Sequence, residues 1–364
     1  MLRPDVLATD RLLRWRPAAS AVPSLITSIA DLERRLFVMS HGWAVSTLST
    51  YGWALLLYHV WCDSRSLAES SRAPVSMATM STFISDLVGS YSASALKNVI
   101  AGIHAWHDLH GLKWKANDRM LSLLLKGAAE FVPENATREK REPVLVEHLE
   151  KIIGILDPDA PFDAAFGACL LTVFWGTARL GEFVVPTSNP GSFDPLRHVK
   201  RCDATPRHDI NNNTIFEFWI PRTKSAHAGE LVCWARRTKA NPEEAYLNHL
   251  RVNDPPSAQS LFAFRTSVGA DEWQHMTRHR FLARLGKACD DIGIRRLHGH
   301  GLRIGGTLAL LLEGMPFETV KIKGRWKSDA FQLYLRRHGA VLASHIQEPD
   351  VARELIRYTL PPVR

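Results

Sequence analysis

The chain has 364 residues, of which 46% are hydrophobic and 23% charged, and this composition is typical of a globular protein with ample core material. No apolar run approaches the ~18 residues needed to span a bilayer, and the N-terminus lacks the apolar segment of a signal peptide. Five cysteines lie far apart without a Cys-x-x-Cys motif, which predicts reduced thiols in a soluble, intracellular protein.

The N-terminal third predicts an all-helical domain. Residues 1–22 contain Pro and Arg without a clear period and predict an N-terminal arm or a disordered lead-in. Over residues 23–132, apolar side chains recur at three- and four-residue steps, which predicts a bundle of four or five helices. The N-caps expected for these helices are Ser46 or Thr47, Ser76 or Thr79, and Ser92 or Ser94, and Gly111 is expected to end a helix.

Residues 133–143, PENATREKREP, are polar, charged and bracketed by prolines, and they predict a linker between two domains. The run REKRE is also compatible with a nuclear-import or nucleic-acid patch, although acidic residues interrupt it. Residues 144–364 then form the second domain. Helices are expected at 144–156, 162–175, 242–250, 276–291 and 302–313.

One stretch of the second domain changes its period from helical to alternating. IFEFWI from Ile215, the turn-forming PRTKSAHAGE and then LVCWARR predict a β-hairpin. The expected fold class is therefore mainly α with a small β-sheet: a helical bundle followed by an α+β domain.

The positive charge is concentrated late in the chain. Residues 275–340 hold 13 Lys and Arg against five Asp and Glu, an excess equal to the +8 net charge of the whole chain. This segment indicates a polyanionic partner. It contains a His-x-x-Arg pair (His300, Arg303), Trp326 in KIKGRWK, and Tyr334 near two arginines.

Each candidate residue also has an ordinary structural interpretation. Arg179, just after an apolar helix, could pair with Glu182, because an unpaired buried guanidinium is costly. Lys224 could be a solvated hairpin tip, and Trp326 and Tyr334 could be packing residues. His298 competes with His300 for its role, and a metal site from histidines at 275, 279, 298 and 300 lacks a Glu or Cys at ligand spacing.

The combination is more specific than its members. Arg, hairpin Lys, His-x-x-Arg, Trp and Tyr in this order resemble the active site of the tyrosine recombinases, the phage-integrase family, and the resemblance covers most of the chain. GRWKSDAFQLYLR resembles the eukaryotic mobile-element branch, cryptons and recombinase-encoding retrotransposons. The matching positions are Arg179, Glu182 as its acidic companion, Lys224, His300, Arg303, Trp326 and the nucleophile Tyr334.

Two departures from the family pattern stand out. Tyr334 follows Trp326 by eight residues, where many bacterial members have one more, and this shorter spacing is familiar in the eukaryotic branch. The long interval between Arg179 and Lys224 implies an insertion around residues 188–213, which bears most on the assignment of Lys224.

The resemblance implies a core-binding domain over residues 23–132 and a catalytic domain over 144–364. It implies cleavage and rejoining of double-stranded DNA through a 3′-phosphotyrosine, without metal or cofactor, and assembly of a tetramer on DNA through the C-terminal helix, although that helix could equally dock on its own domain. A nuclear location follows from the eukaryotic character of the motif. The residues expected to contact phosphates are Arg278, Arg280, Arg284, Arg295, Lys321, Lys323 and Lys327.

Three alternatives remain beside this interpretation. A type IB topoisomerase shares the Arg, Lys, His/Arg and Tyr chemistry. A DNA-binding protein derived from a recombinase would keep the residues without the activity. A histidine-phosphatase motif at Arg337-His338-Gly339 is disfavoured, because it lies late in the chain rather than after a first strand.

Overall fold

The computed structural model describes residues 2–18, 28–132, 142–208, 210, 212–223, 226 and 228–327. The chain divides into two compact units, Met1–Glu139 and Lys140–Arg364, and the division falls inside the segment predicted as a linker. Among the described residues, no helix is both long and apolar enough to cross a membrane.

The first unit is helical. Its helices are α1 (Arg11–Arg14), α2 (Ile29–Ser40), α3 (Val45–Ser64), α4 (Glu69–Arg72), α5 (Met77–Leu87), α6 (Ala93–Leu109) and α7 (Asp118–Glu130). The caps at Ser76 and Ser92 are confirmed, since each hydroxyl accepts a hydrogen bond from a backbone N–H three residues later. The expected N-cap of α3 at Ser46 or Thr47 is wrong. Helix α3 begins at Val45, so its N-cap is Ala44, which has no side chain that could accept a hydrogen bond.

Residues 2–18 differ from the predicted arm or disordered lead-in. Leu12 is fully buried and Trp15 is 7% exposed, both against the helical core. The indole N–H of Trp106 on α6 donates to the carbonyl of Trp15 over 2.7 Å. A helix of four residues is too short to show a period in sequence, so only its tertiary contacts reveal it.

The second unit combines helices with two small antiparallel sheets, as the expected fold class requires. Its helices are α8 (Val146–Gly154), α9 (Pro161–Trp175), α10 (Leu180–Phe183), α11 (Pro242–Val252), α12 (Arg278–Asp291), α13 (Gly299–Leu312) and α14 (Phe317–Lys323). Its strands are β1 (Ala204–His208), β2 (Thr214–Ile220), β3 (Glu230–Ala235), β4 (Phe264–Arg265) and β5 (Trp273–Gln274). The first sheet has the order β1-β2-β3, and β4 pairs with β5.

The predicted hairpin is confirmed as β2 and β3, in the register Phe218 opposite Val232. Phe216, Phe218 and Ile220 alternate toward the core, and Trp234 of β3 packs on the same side. Strand β1 was not predicted. It lies in the segment expected to be an insertion and pairs along the other edge of β2.

Helix α9 is the centre of this unit, because every residue from 164 to 175 is buried. Helix α13 crosses it closely at Gly305 and Gly306. A Cβ at Gly305 would overlap the carbonyl oxygen of Val144, and one at Gly306 would overlap the carbonyl oxygen of Phe174. Only glycine permits these backbones to approach so closely. This contact sets the position of the helix that carries His300 and Arg303.

Candidate functional site

Arg179 lies at the N-cap of α10 and is held by Glu182 at two points. The Arg179 backbone N–H donates to Glu182 Oε2 over 2.9 Å, and Arg179 Nη1 donates to Glu182 Oε1 over 2.9 Å. The Arg179 side chain is 37% exposed, whereas that of Glu182 is 6% exposed. The buried Glu182 carboxylate therefore fixes the orientation of the Arg179 guanidinium, whose exposed part remains able to donate to an anion.

Glu182 also binds a second arginine that sequence reasoning did not single out. Arg325 Nη2 donates to Glu182 Oε2 over 2.7 Å, and Arg325 Nη1 donates to Glu230 Oε2 over 3.0 Å. Burial alone would raise the pKa of Glu182, but Arg325 and then Arg179 outweigh burial and lower the pKa below its usual value. The carboxylate is thus ionised at neutral pH.

Arg303 and Trp326 contact each other directly. Arg303, on α13, is 1% exposed, and its guanidinium carbon lies 4.4 Å from the centroid of the Trp326 ring. Arg303 Nη2 donates to the carbonyl of Gly324, two residues before Trp326. The Arg303 guanidinium therefore lies over the Trp326 ring, and its hydrogen bond to Gly324 connects the end of α14 to α13.

His300 lies one turn before Arg303 on α13 and is half-buried, whereas His298 is exposed at the N-cap. The first residue of α13, Gly299, packs against α10: an added Cβ there would lie 2.7 Å from Leu180 Cδ2. Since Leu180 follows Arg179, this contact brings the start of α13 against the element that carries Arg179.

The structure therefore forms two sets of contacts, Arg179 with Glu182 and Arg325, and Arg303 with Gly324 and Trp326. The consecutive residues Gly324, Arg325 and Trp326 connect the two sets along the chain. Lys224 and Tyr334 lie outside the described residues. The two residues Thr223 and Glu230 flank the loop between β2 and β3, and we call them the base of the hairpin. Thr223 Oγ1 donates to Glu230 Oε2 over 3.1 Å.

The basic residues proposed for phosphate contact differ in their solvent exposure. Arg278, Arg295 and Lys327 are exposed, and Arg280, Lys321 and Lys323 are half-buried. Arg284 is engaged inside the unit: its Nε and Nη2 donate to the carboxylate of Asp163 over 2.7 and 2.9 Å, and its guanidinium lies over Phe166. Within the described part of the chain, Arg284 acts as a structural ion-pair partner.

The described residues hold no group of three or more His, Cys, Asp or Glu able to bind a metal ion. His275, a member of the histidine set considered from sequence, shares a hydrogen bond of 2.9 Å with Ser260 and stacks on Phe193. All five cysteines are free thiols, of which those at 62, 169 and 289 are buried.

Arg325 and Glu230 were not predicted, although Arg325 stands beside the predicted Trp326. The signal available in sequence was the arginine between Gly324 and Trp326. Arg325 has φ +58°, a left-handed conformation that is unusual for a residue with a side chain.

No protein-family model matches the chain, and no curated protein matches it either. Among solved structures, the post-cleavage complex of the XerH site-specific recombinase with a palindromic difH substrate is similar, with a TM-score of 0.56 at 15% identity over 94% of this chain and 95% of that one. The pre-cleavage complex of XerH with difH has a TM-score of 0.52 at 14% identity, over 93% and 94%. The chain therefore has the fold of the tyrosine recombinases.

Proposed function

We propose that the chain is a site-specific DNA recombinase that cleaves and rejoins strands through a 3′-phosphotyrosyl intermediate. The observation that supports this most is the presence, within a recombinase fold, of two contact pairs, Arg179 with Glu182 and Arg303 with Trp326, which the segment from Gly324 to Trp326 connects. The similar XerH structures are complexes of a recombinase with its DNA substrate before and after cleavage. Double-stranded DNA is accordingly the proposed partner of this chain.

The two predicted arginines would stabilise the charge of the transition state. A phosphodiester under attack concentrates negative charge on its non-bridging oxygens, and forked guanidinium donors match that geometry. Arg179 is already partly exposed and fixed by Glu182. Arg303 is covered in this structure, so contact with a phosphate requires a neighbouring group to move aside.

The nucleophile proposed is the hydroxyl of Tyr334. Its ordinary pKa near 10 makes it weak at neutral pH, and His300 would accept its proton or hold a phosphate oxygen. Trp326 would hold the Arg303 guanidinium in place over its ring, and Lys224 would protonate the leaving 5′-oxygen. Because the phosphotyrosine retains the energy of the broken bond, rejoining requires neither ATP nor a cofactor.

Further proposals concern the partner and the setting. The exposed residues Arg278, Arg295 and Lys327 are proposed to contact the DNA backbone. Assembly of a tetramer on DNA through the C-terminal segment, a nuclear location and an origin in a eukaryotic mobile element are proposed from the sequence resemblance.

Covalent trapping tests the proposal. Purified protein is incubated with a pool of randomised duplexes nicked near the candidate cleavage position, so that the cleaved fragment diffuses away and blocks rejoining. We expect a DNA-linked band on a denaturing gel for the wild type and for Tyr358→Phe, a matched substitution of another late tyrosine, but none for Tyr334→Phe. Sequencing the trapped DNA then identifies the target.

The other outcomes distinguish the alternatives. An adduct retained by Tyr334→Phe would contradict the assignment of the nucleophile. Salt-sensitive binding without any adduct would favour a non-catalytic DNA-binding protein. Relaxation of a supercoiled plasmid without strand transfer between duplexes would favour a topoisomerase.

A further inference from the structure

Arg325 joins two carboxylates that belong to separate parts of the site. One arm of its guanidinium reaches Glu182, which holds Arg179, and the other reaches Glu230, which begins β3 and accepts a hydrogen bond from Thr223. The two distances are 2.7 and 3.0 Å, and the Arg325 side chain is 9% exposed. The fork of a guanidinium suits this double contact, which a lysine ammonium cannot reproduce.

The backbone at Arg325 has a conformation that is unusual for a residue with a side chain. Helix α14 ends with the Arg325 N–H donating to the Ile322 carbonyl and the Trp326 N–H donating to the Lys321 carbonyl. This arrangement places Arg325 in the left-handed region, at φ +58°, where glycine is the usual residue. The chain has an arginine at that point, and its side chain makes the two ion pairs.

The net charge of the four ionised side chains also indicates a role for Arg325. Arg179, Glu182, Arg325 and Glu230 together are neutral. Without Arg325 the set would carry one net negative charge, with carboxylate side chains only 6% and 16% exposed at the place proposed to receive a phosphodiester. Such a charge would oppose the negative charge that develops on the phosphodiester in the transition state, and it would draw the Arg179 guanidinium toward the carboxylates.

We infer that Arg325 is a positioning residue for the strand-transfer reaction: it holds Arg179 through Glu182, holds the base of the β2–β3 hairpin through Glu230, and neutralises both carboxylates. This inference rests on the proposed function. Arg325 itself does not touch the reacting atoms, so its effect is transmitted through the two glutamates.

Single-turnover cleavage of a nicked duplex at saturating protein tests the inference. Arg325→Gln should lower the cleavage rate by about 100-fold, the scale expected when a catalytic group is displaced by about 1 Å. DNA affinity should change by less than about threefold, since no DNA contact is removed. Arg325→Lys should be intermediate, because it keeps the charge and loses the fork.

Two further variants separate positioning from a general loss of stability. Arg237→Gln breaks another ion pair of the same unit, that of Arg237 with Glu313 over 2.7 Å, whose side chains are 24% and 44% exposed, and it should leave the cleavage rate unchanged. The double variant Arg325→Gln with Glu230→Gln removes the excess carboxylate charge and should recover at least about tenfold of the lost rate.

A cleavage rate of Arg325→Gln within about threefold of wild type, or an equal loss in Arg237→Gln, would overturn the inference. So would a double variant no faster than Arg325→Gln alone. Failure of the proposed function is distinguishable, because the wild-type protein itself would then form no covalent adduct.

Discussion

The close approach of α13 to the backbone of Val144 predicts that Gly305→Ala destabilises the second unit. A Cβ at Gly305 would lie 2.8 Å from the Val144 carbonyl carbon and 2.9 Å from Phe174 Cε2, in addition to its overlap with the Val144 oxygen. Carbon atoms normally approach to ~3.5–4.0 Å. Because the nearest obstacle is backbone, it cannot rotate away as a flexible side chain would.

The magnitude follows from two opposing effects. Alanine in a helix interior is favoured over glycine by about 1 kcal/mol. Overpacking typically costs about 1–3 kcal/mol and sometimes more, and a backbone obstacle places Gly305→Ala at the upper end of that range. We therefore expect the free energy of unfolding to fall by about 2 kcal/mol, which lowers Tm by about 4–8 °C in a unit of this size.

Gly286→Ala is the matched control. Gly286 lies within α12 of the same unit, and a Cβ there would meet no described atom within 4 Å. We expect Gly286→Ala to raise the free energy of unfolding by about 0.5–1 kcal/mol, because only the helix preference of alanine over glycine acts there.

Thermal unfolding followed by circular dichroism measures both variants, and hydrogen exchange on peptides from α13 locates the change. Gly305→Ala should also slow adduct formation, because α13 carries Arg303. If Gly305→Ala were as stable as wild type while Gly286→Ala gained stability, the close approach of α13 to Val144 would be refuted.

Three further predictions concern pH, the leaving group and salt. Burial lowers the pKa of His59 to about 3 and of His110 to about 4, below the unfolded value near 6.5. The free energy of unfolding of the helical unit should therefore be constant above pH 6.5 and should fall between pH 6.5 and 4, by about 1.4 kcal/mol per histidine and pH unit. A midpoint of urea unfolding that does not change across this range would contradict the assignment. Lys224→Ala should cleave slowly on ordinary DNA and recover when sulfur replaces the bridging 5′-oxygen, because a thiolate leaves without a proton; no recovery would exclude Lys224 as the proton donor. Arg278→Ala should reduce the slope of log affinity against log salt by about one, whereas Arg284→Ala should leave this slope unchanged and destabilise the fold; equal slopes would remove Arg278 from the DNA contacts.

Local chemistry explains which elements were predictable. Ser76 and Ser92 begin α5 and α6 because a hydroxyl satisfies an N–H within three residues, a relation contained in the sequence. The alternation of Phe216, Phe218 and Ile220 likewise predicted the strand and its buried face. The start of α3 was misplaced, because Ala44 has no side-chain acceptor to mark it.

Elements without a local signal were missed. The buried Leu12 lies in the four-residue helix α1, and the buried Trp15 follows that helix. The Trp15 carbonyl accepts its hydrogen bond from Trp106, which lies 91 residues away in the chain. Strand β1 has no buried alternating face to indicate it, because its burial decreases from Ala204 to the exposed Arg207 and His208. The structure shows that it pairs antiparallel with the next strand, β2.

For the candidate site, the sequence by itself determined the residue types and their order: Arg179 with an acidic residue three positions on, a His-x-x-Arg pair and a Trp before a Tyr. Only the tertiary structure decided how they are connected. Arg325 and Glu182 lie 143 residues apart, and no period or local motif relates them. An ion pair depends on two charges meeting in space, whereas a cap or a strand depends on neighbours in the chain, and this difference explains why the arginine that joins the site was found only in the fold.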